Sequence, residues 1–398
     1  MATPQFVPLS AADVSTPFSP VDNDPPLRWQ RAVHIAPSDG LGVGRRALIF
    51  ALFGWLPIAL WALIHGRFLE AASGEPLLQH FGVHVRCLIV IPLFILGEAT
   101  LHNAARRYLP QFISSGLVDD VSRPAFEAEL RTARGWSDAA LPWLLFVGMA
   151  IAWTFADRAA NHTDEMSWAL DEKGLLGFGG VWFGYVVRPI FLVLLLGWLW
   201  RIALLVWLFA RLGSLRLLLV PSHPDRAGGV GFLEKLPTAF APVGLALSAM
   251  LASRWAHQIV YHGMTVEKFK LPAVMFVVVW ALLLLAPLVP LMPALRAAKR
   301  VALPSYAAIV AEQGRQVRRR WIDGTTKIDG SLLEPAGIGV TADAANLFNA
   351  VRSMRTLPLG RTTVVDILAP IAVPMLIVAA LQIPLKTLLL SLVKALMG

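Results

Sequence analysis

Glu98 and His102 stand four residues apart, so a helix would put both on one face. His223-Pro224-Asp225 offers a second imidazole and a second carboxylate, with Arg226 next to them. Glu98, His102, His223 and Asp225 are donors of the kind that hold zinc or another divalent ion. The same groups can pass protons between carboxylate and imidazole. They can equally form a hydrogen-bonded loop that binds nothing, and their spacing matches no dedicated metal signature. A second histidine set flanks other apolar segments: His80 and His84 in one place, His257, Tyr261 and His262 in another, with Arg254 one helical turn before His257. That set fits a pH-sensitive vestibule, a metal site or polar decoration of an interface.

Arginine is the other chemistry-bearing residue. Arg86, Arg188, Arg201 and Arg254 all lie within or beside apolar runs. A charge at membrane depth needs a partner, a polar cavity or an interface. With few acids nearby, these four suit a path for anions or a site for lipid phosphate. In the plainer reading, Arg86 and Arg254 snorkel to a surface and Arg201 pairs with Glu98 as a structural bridge. Arg188 is expected deepest, and Pro189 beside it frees a carbonyl one turn upstream.

The segment 223–236, HPDRAGGVGFLEKL, is unusually patterned for a connector. Its glycines permit tight turns, and Arg226 beside their amides could grip phosphate. It lacks the Lys-Ser/Thr end of a P-loop, so a P-loop enzyme is not expected. Pro287, Pro290 and Pro293 recur every three residues, and Pro370, Pro374 and Pro384 punctuate the last apolar run. Helices carrying them must bend, as the broken helices of transporters do.

The elements that would position these groups follow from composition. Of the 398 residues, 56% are apolar and 15% charged, against about 25% charged in soluble proteins. Mean hydropathy is +0.62. Those values exclude a soluble enzyme, a disordered chain and a fibrous protein. Cys87 is the single cysteine, so neither an intrachain disulfide nor a cysteine-ligated cluster can form within this chain. The expected fold is all-α: a polytopic integral membrane bundle of about seven spans at 47–65, 84–101, 139–155, 179–212, 237–258, 271–295 and 364–385. The fourth, at 34 residues, is too long for a perpendicular span and is read as one long helix with an extension. Trp182, Trp198, Trp200 and Trp207 along it mark expected interface levels.

Lys and Arg set the expected orientation. With the N-terminus inside, 24 of the 35 fall on cytoplasmic segments, seven outside and four in spans. Every internal loop then obeys the positive-inside rule, giving N-in and C-out. The expected organisation has four parts. Residues 1–44 form a flexible Pro-rich N-terminus with no signal peptide. Residues 45–295 form a membrane domain with helical loops at 102–138 and 211–236. Residues 296–363 form a basic cytoplasmic region, and 364–398 hold the last span and a short apolar tail. In the loop at 102–138, Glu127 and Arg131 are expected to pair at i,i+4. In 296–363, helices are expected at 306–322, ending in Arg318, Arg319, Arg320 and Trp321, and at 343–354; Asp329-Gly330 reads as a turn.

HPDRAGG at 223–229 and the downstream ANLFNAVRSMRTLPLGRTTVVDILAP at 345–370 resemble a group of bacterial inner-membrane proteins. In these a His-Pro-Asp-x-Ala-Gly-Gly loop follows a long span, and a helix ending in a Met-Arg pair leads into the last one. His223, Pro224, Asp225, Ala227, Gly228 and Gly229 match the loop; Met354 and Arg355 match the pair. The resemblance implies a multi-pass protein of a bacterial inner membrane and attaches no activity to it.

The leading expectation is a membrane transport protein, a channel or transporter for a small ion or anionic solute. Arg188, Arg201, Glu98 and His102 would line its polar path. His223, Asp225 and Arg226 form a loop site, and His84, Arg254, His257 and His262 an outer polar group. The first alternative is a scaffold or sensor whose basic run at 315–320 meets anionic lipid or an acidic partner. The second is a lipid-modifying enzyme using Glu98, His102, His223 and Asp225. No cofactor is expected apart from the divalent metal those residues could take. Expected partners are membrane lipids, anionic ones included, and a second copy packed through Gly177, Gly179, Gly180 and Gly184; nucleic acid is not among them.

Overall fold

The structure, a computed structural model, describes residues 18–69, 75–159, 164–170, 175–319, 323 and 338–382. The expected apolar tail, the turn at 329–330 and the end of the basic run at Arg320 and Trp321 lie outside the described residues. The fold is all-α. Among the described residues, seven helices are long and apolar enough to cross a membrane. A helix of 22 residues rises about 33 Å, enough for the hydrocarbon core.

The helices in chain order are α1 (Pro25–Ala32), α2 (Val43–Ile64), α3 (Phe81–Ser114), α4 (Arg123–Asp138) and α5 (Ala140–Ala159). They continue as α6 (Phe178–Ser214), α7 (Gly231–His262), α8 (Glu267–Val317), α9 (Ile338–Ser353) and α10 (Arg361–Ala380). The candidate spans are α2, α3, α5, α6, α7, α8 and α10. The fourth is one helix of 37 residues, as its length implied.

Proline shapes α3 and α6 in the same way. Pro92 and Pro189 lack the N–H that would bond residue i−4, and their rings crowd that carbonyl. Residues i−4 are Leu88 and Tyr185, and each lies inside a five-residue π-helical turn, Arg86–Val90 and Phe183–Val187. The wider turn absorbs the missing bond. The two turns meet: the Arg86 guanidinium lies 5.0 Å from the Phe183 ring centre and the Arg188 guanidinium 5.5 Å from it. In α8, Pro287 and Pro290 fall in a 3-10 turn, Ala286–Leu291, and the helix then resumes from Met292 to Val317. At 51 residues α8 far exceeds a span. Its basic end packs on α9, and the helix expected from 306 is a continuation of span six.

Four expectations change. The first concerns the N-terminal segment, read as flexible. From residue 18 onward it is an ordered strap. Asp24 caps α1 by accepting from the Leu27 amide at 3.0 Å, with proline at the first helical position. Phe18, Val21 and Leu27 are fully buried, worth about 2 kcal/mol each. Ser137 Oγ donates to the Pro20 carbonyl and Arg28 to that of Asp138, tying the strap to the α4–α5 junction. The second is the pairing of Glu127, whose partner is Arg123 at 3.1 Å rather than Arg131. The third is Trp198, which is no interface marker: it is fully buried and donates to the Phe94 carbonyl at 3.1 Å. The fourth is the glycine face. A β-carbon at Gly177 or Gly179 would collide with Trp61, and one at Gly180 with Ala169 and Leu176. Those three glycines make room for the chain's own side chains, whereas a β-carbon at Gly184 would meet only Met166 in ordinary contact at 3.8 Å.

Candidate functional site

A buried charge cluster sits where the strap meets α2, α3 and α6. Glu98 on α3 lies between two guanidiniums: its Oε2 accepts from Arg46 Nη1 at 2.7 Å and its Oε1 from Arg201 Nη2 at 2.9 Å. Arg201 Nη2 also reaches Asp24 Oδ2 at 2.5 Å. All four side chains are 1–2% exposed. Gln30 on α1 accepts from Arg46 Nε, and the Leu41 carbonyl from Arg46 Nη1. Counted as ionised, two arginines and two carboxylates balance, although burial pushes the Asp24 carboxyl up against the pull of Arg201. Arg201 Nε and Nη1 have no hydrogen-bond partner among the described residues. The guanidinium instead lies over the Trp198 and Trp143 rings, 5.2 and 5.5 Å from their centres, and indole faces attract it. The pairing of Arg201 with Glu98 was open to sequence reading. Asp24 and Arg46 were missed because each reads as an ordinary loop charge.

His102 does not join this cluster. Its Nδ1 lies 2.8 Å from Ser19 Oγ of the strap and its Nε2 3.5 Å from Arg106. His223 and Asp225 pair with each other at 2.9 Å in the loop after α6. The four residues proposed as one metal set are therefore divided: Glu98 serves two arginines, His102 the strap, and Asp225 its own loop. Among the described residues they form no metal-holding group.

The 223–231 loop has its own logic. Asp225 Oδ1 accepts from the amides of Ala227 at 2.8 Å and Gly229 at 3.2 Å, and Oδ2 from Gly231 at 2.8 Å. Arg226, Gly228 and Gly229 take positive φ of 54°, 69° and 96°, a turn that only glycine makes without strain at its last position. The Arg226 side chain is exposed, and its backbone does the structural work. Its carbonyl accepts from the Arg355 amide at 2.6 Å. The Arg355 side chain reaches the Leu359 carbonyl, the Asp225 carbonyl at 3.2 Å and Glu234 Oε2 at 3.3 Å. Thr363 holds the other Glu234 oxygen at 3.1 Å. The two sequence motifs, the His-Pro-Asp loop and the Met-Arg pair, thus clasp each other.

Burial pushes the Asp225 carboxyl up, but the amides of Ala227, Gly231 and Gly229 and the His223 ring together outweigh it, holding it below the usual carboxylate range. A depressed carboxyl stabilises the fold fully above its unfolded pKa, about 3.9, and the gain is lost as pH falls through the lower folded value. Asp225→Asn presents one oxygen and an NH2 to three donors, and should cost about 1–2 kcal/mol at pH 7. Melting curves against pH should show the gap to wild type closing below about pH 4. A gap that stays constant into acid would mean that the charge on Asp225 does not hold the loop.

At the opposite end of the bundle a third group assembles. Glu75, in the α2–α3 connection, receives His257 Nε2 at 3.1 Å, His80 Nε2 at 3.3 Å and His262 Nε2 at 3.6 Å. The His257 and His262 Nε2 atoms are 3.4 Å apart. His80 and His257 stack with ring centres 4.9 Å apart. His84 is excluded from this set: its Nδ1 accepts from Trp55 at 2.9 Å and its Nε2 faces the Leu77 carbonyl at 3.0 Å, so both ring nitrogens are satisfied. Arg254 is exposed on α7. Arg188 lies within α6, over the Phe183 ring. Glu75 was missed because a lone acid in a connecting loop carries no periodicity.

The basic run on α8 is partly neutralised where it is described. Arg315 and Arg319 both reach Glu312, and Arg318 reaches Asp323. Comparison of the chain with protein-family models, curated proteins and solved structures finds no match to any of them.

Proposed function

We propose that this is a multi-pass transport protein of a bacterial inner membrane, passing a small ion or anionic solute, with its N-terminus in the cytoplasm. The orientation rests on the positive-inside count. It makes the strap cytoplasmic and the Glu75 group external. One observation carries the reading: Arg201, inside a span, is held at once by Glu98 of another span and by Asp24 of the strap.

A buried ion cluster is a poor way to gain stability, because apolar residues of similar volume do as well or better. It is a good way to build a two-position latch. With Asp24 in place the cluster is neutral and the strap covers it. With Asp24 withdrawn, the inner end of the bundle carries one net positive charge beside the cytoplasm. A guanidinium freed in a low-dielectric setting attracts anions strongly. The proline-broken helices α3, α6 and α8 supply the bends that alternating packing needs.

The test is flux of chloride, potassium, protons and a small organic anion from sealed liposomes holding the purified protein. Asp24→Asn should raise anion flux several-fold over wild type, and Arg201→Gln should abolish the increase. Silence from wild type and Asp24→Asn for all four, in folded and inserted protein, would remove the transport reading. The basic end of α8 would then be the working surface of a scaffold or sensor.

A further inference from the structure

We infer that Glu75, His257 and His262 form a binding site for a divalent transition-metal ion, zinc being the best fit, supported by His80. The inference stands apart from the transport reading.

The first argument is geometric. A tetrahedral zinc ion with bonds of about 2.0–2.1 Å places its ligand atoms about 3.3 Å from one another. The two Nε2 atoms are 3.4 Å apart, Glu75 Oε2 lies 3.1 Å from that of His257 and Oε1 3.6 Å from that of His262, and one ligand atom from each residue falls within 4.8 Å of the others. Three ligands leave a fourth position open to water or an anion.

The second argument is protonation. His257 Nδ1 lies 2.9 Å from the Gln79 carbonyl, an acceptor only. Nδ1 must therefore carry the ring proton, and the neutral ring presents a lone pair at Nε2. That lone pair points at a carboxylate oxygen and at a second imidazole nitrogen. The three ligand atoms all lie within 4.8 Å of one another, close enough to share one cation. Lysine and arginine do not supply it: among the described residues every ion-pair partner of Glu75 is an imidazole.

The third argument is the surrounding support. Metal-binding histidines donate their other nitrogen to a carbonyl, and metal-binding carboxylates are themselves hydrogen-bonded. Gln79 provides the first contact. His80, 5% exposed, provides the second through Glu75 Oε2. His80 is a positioning residue, holding the carboxylate rather than the ion. Imidazole with one carboxylate favours zinc and its neighbours over calcium or magnesium, which prefer oxygen. A bound ion would clamp the α2–α3 connection to the end of α7.

The experiment uses full-length protein in detergent, freed of any histidine tag and stripped with EDTA. Zinc and cobalt(II) are titrated in separately at pH 7.5, with calorimetry for zinc and the visible spectrum for cobalt. One ion per chain is expected, with the intense cobalt bands of a four-coordinate site. Glu75→Gln, His257→Ala and His262→Ala should each weaken binding at least 100-fold. His80→Ala should weaken it about 10-fold. Metal should raise the melting temperature of wild type and leave His257→Ala/His262→Ala unmoved. Two results would overturn the inference. One is binding that the three ligand substitutions leave unchanged. The other is absence of binding at pH 7.5 with melting temperature rising only on acidification, which would make the group a proton-held latch.

Discussion

Glu98→Ala should cost the folded protein about 3–5 kcal/mol, the penalty for stranding a buried charge. Among the described residues Glu98 is the only group that accepts from both guanidiniums of the cluster. Without it Arg46 keeps Gln30 and the Leu41 carbonyl, and Arg201 keeps Asp24. The cluster then holds two cations against one anion at 1–2% exposure. Melting in detergent should fall on the order of 5–10 °C. Glu98→Gln keeps one acceptor oxygen and should fall between the two. The double substitution Glu98→Leu/Arg201→Met removes one cation with the anion, so it should recover part of the loss, as apolar replacements of buried pairs do. A Glu98→Ala protein that melts with wild type would show that water reaches the cluster and that its charges are not shared as drawn.

What the sequence reveals and hides follows from the range of each interaction. The seven spans are legible because hydrocarbon thickness imposes a minimum apolar length on each. Their ends are not, because a helix does not stop where its apolar stretch stops. α3 runs on to Ser114 through Arg106 and Arg107, and α8 runs to Val317 through Arg296 and Arg300. Arginine and lysine are good helix formers. The strap was misread because polar, proline-rich composition resembles disorder. Yet Asp24-Pro25 is a helix-start signature, and Phe18, Val21 and Leu27 were available to bury. Which surface they bury against is a tertiary fact. The same limit divided the histidines. His80 and His84 look equivalent in sequence, but His80 precedes the first turn of α3 with a non-helical backbone and reaches Glu75, while His84 lies inside the helix and reaches Trp55.

Arg355→Ala should loosen the clasp between the 223–231 loop and the approach to α10, at a cost of about 2–3 kcal/mol. The guanidinium serves three acceptors: the Leu359 carbonyl, the Asp225 carbonyl and Glu234 Oε2. Two are backbone groups that lose this partner, and among the described residues Glu234 is left with Thr363 as its hydrogen-bond partner. Arg355→Lys should restore little, because one ammonium cannot span acceptors that a planar fork reaches together. The Arg355 amide still donates to the Arg226 carbonyl whatever the side chain, and Lys299 still holds the Met354 carbonyl at 2.6 Å. The segment should therefore stay docked while the loop opens more often. Hydrogen exchange should quicken at Ala227, Gly229 and Gly231, whose amides depend on Asp225 being held in register. It should not quicken where α7 meets α10 near Ser248, whose hydroxyl donates to the Ile371 carbonyl within the apolar core. Unchanged exchange in the loop, or full rescue by lysine, would mean that the backbone bond alone makes the clasp and that the guanidinium is incidental to it.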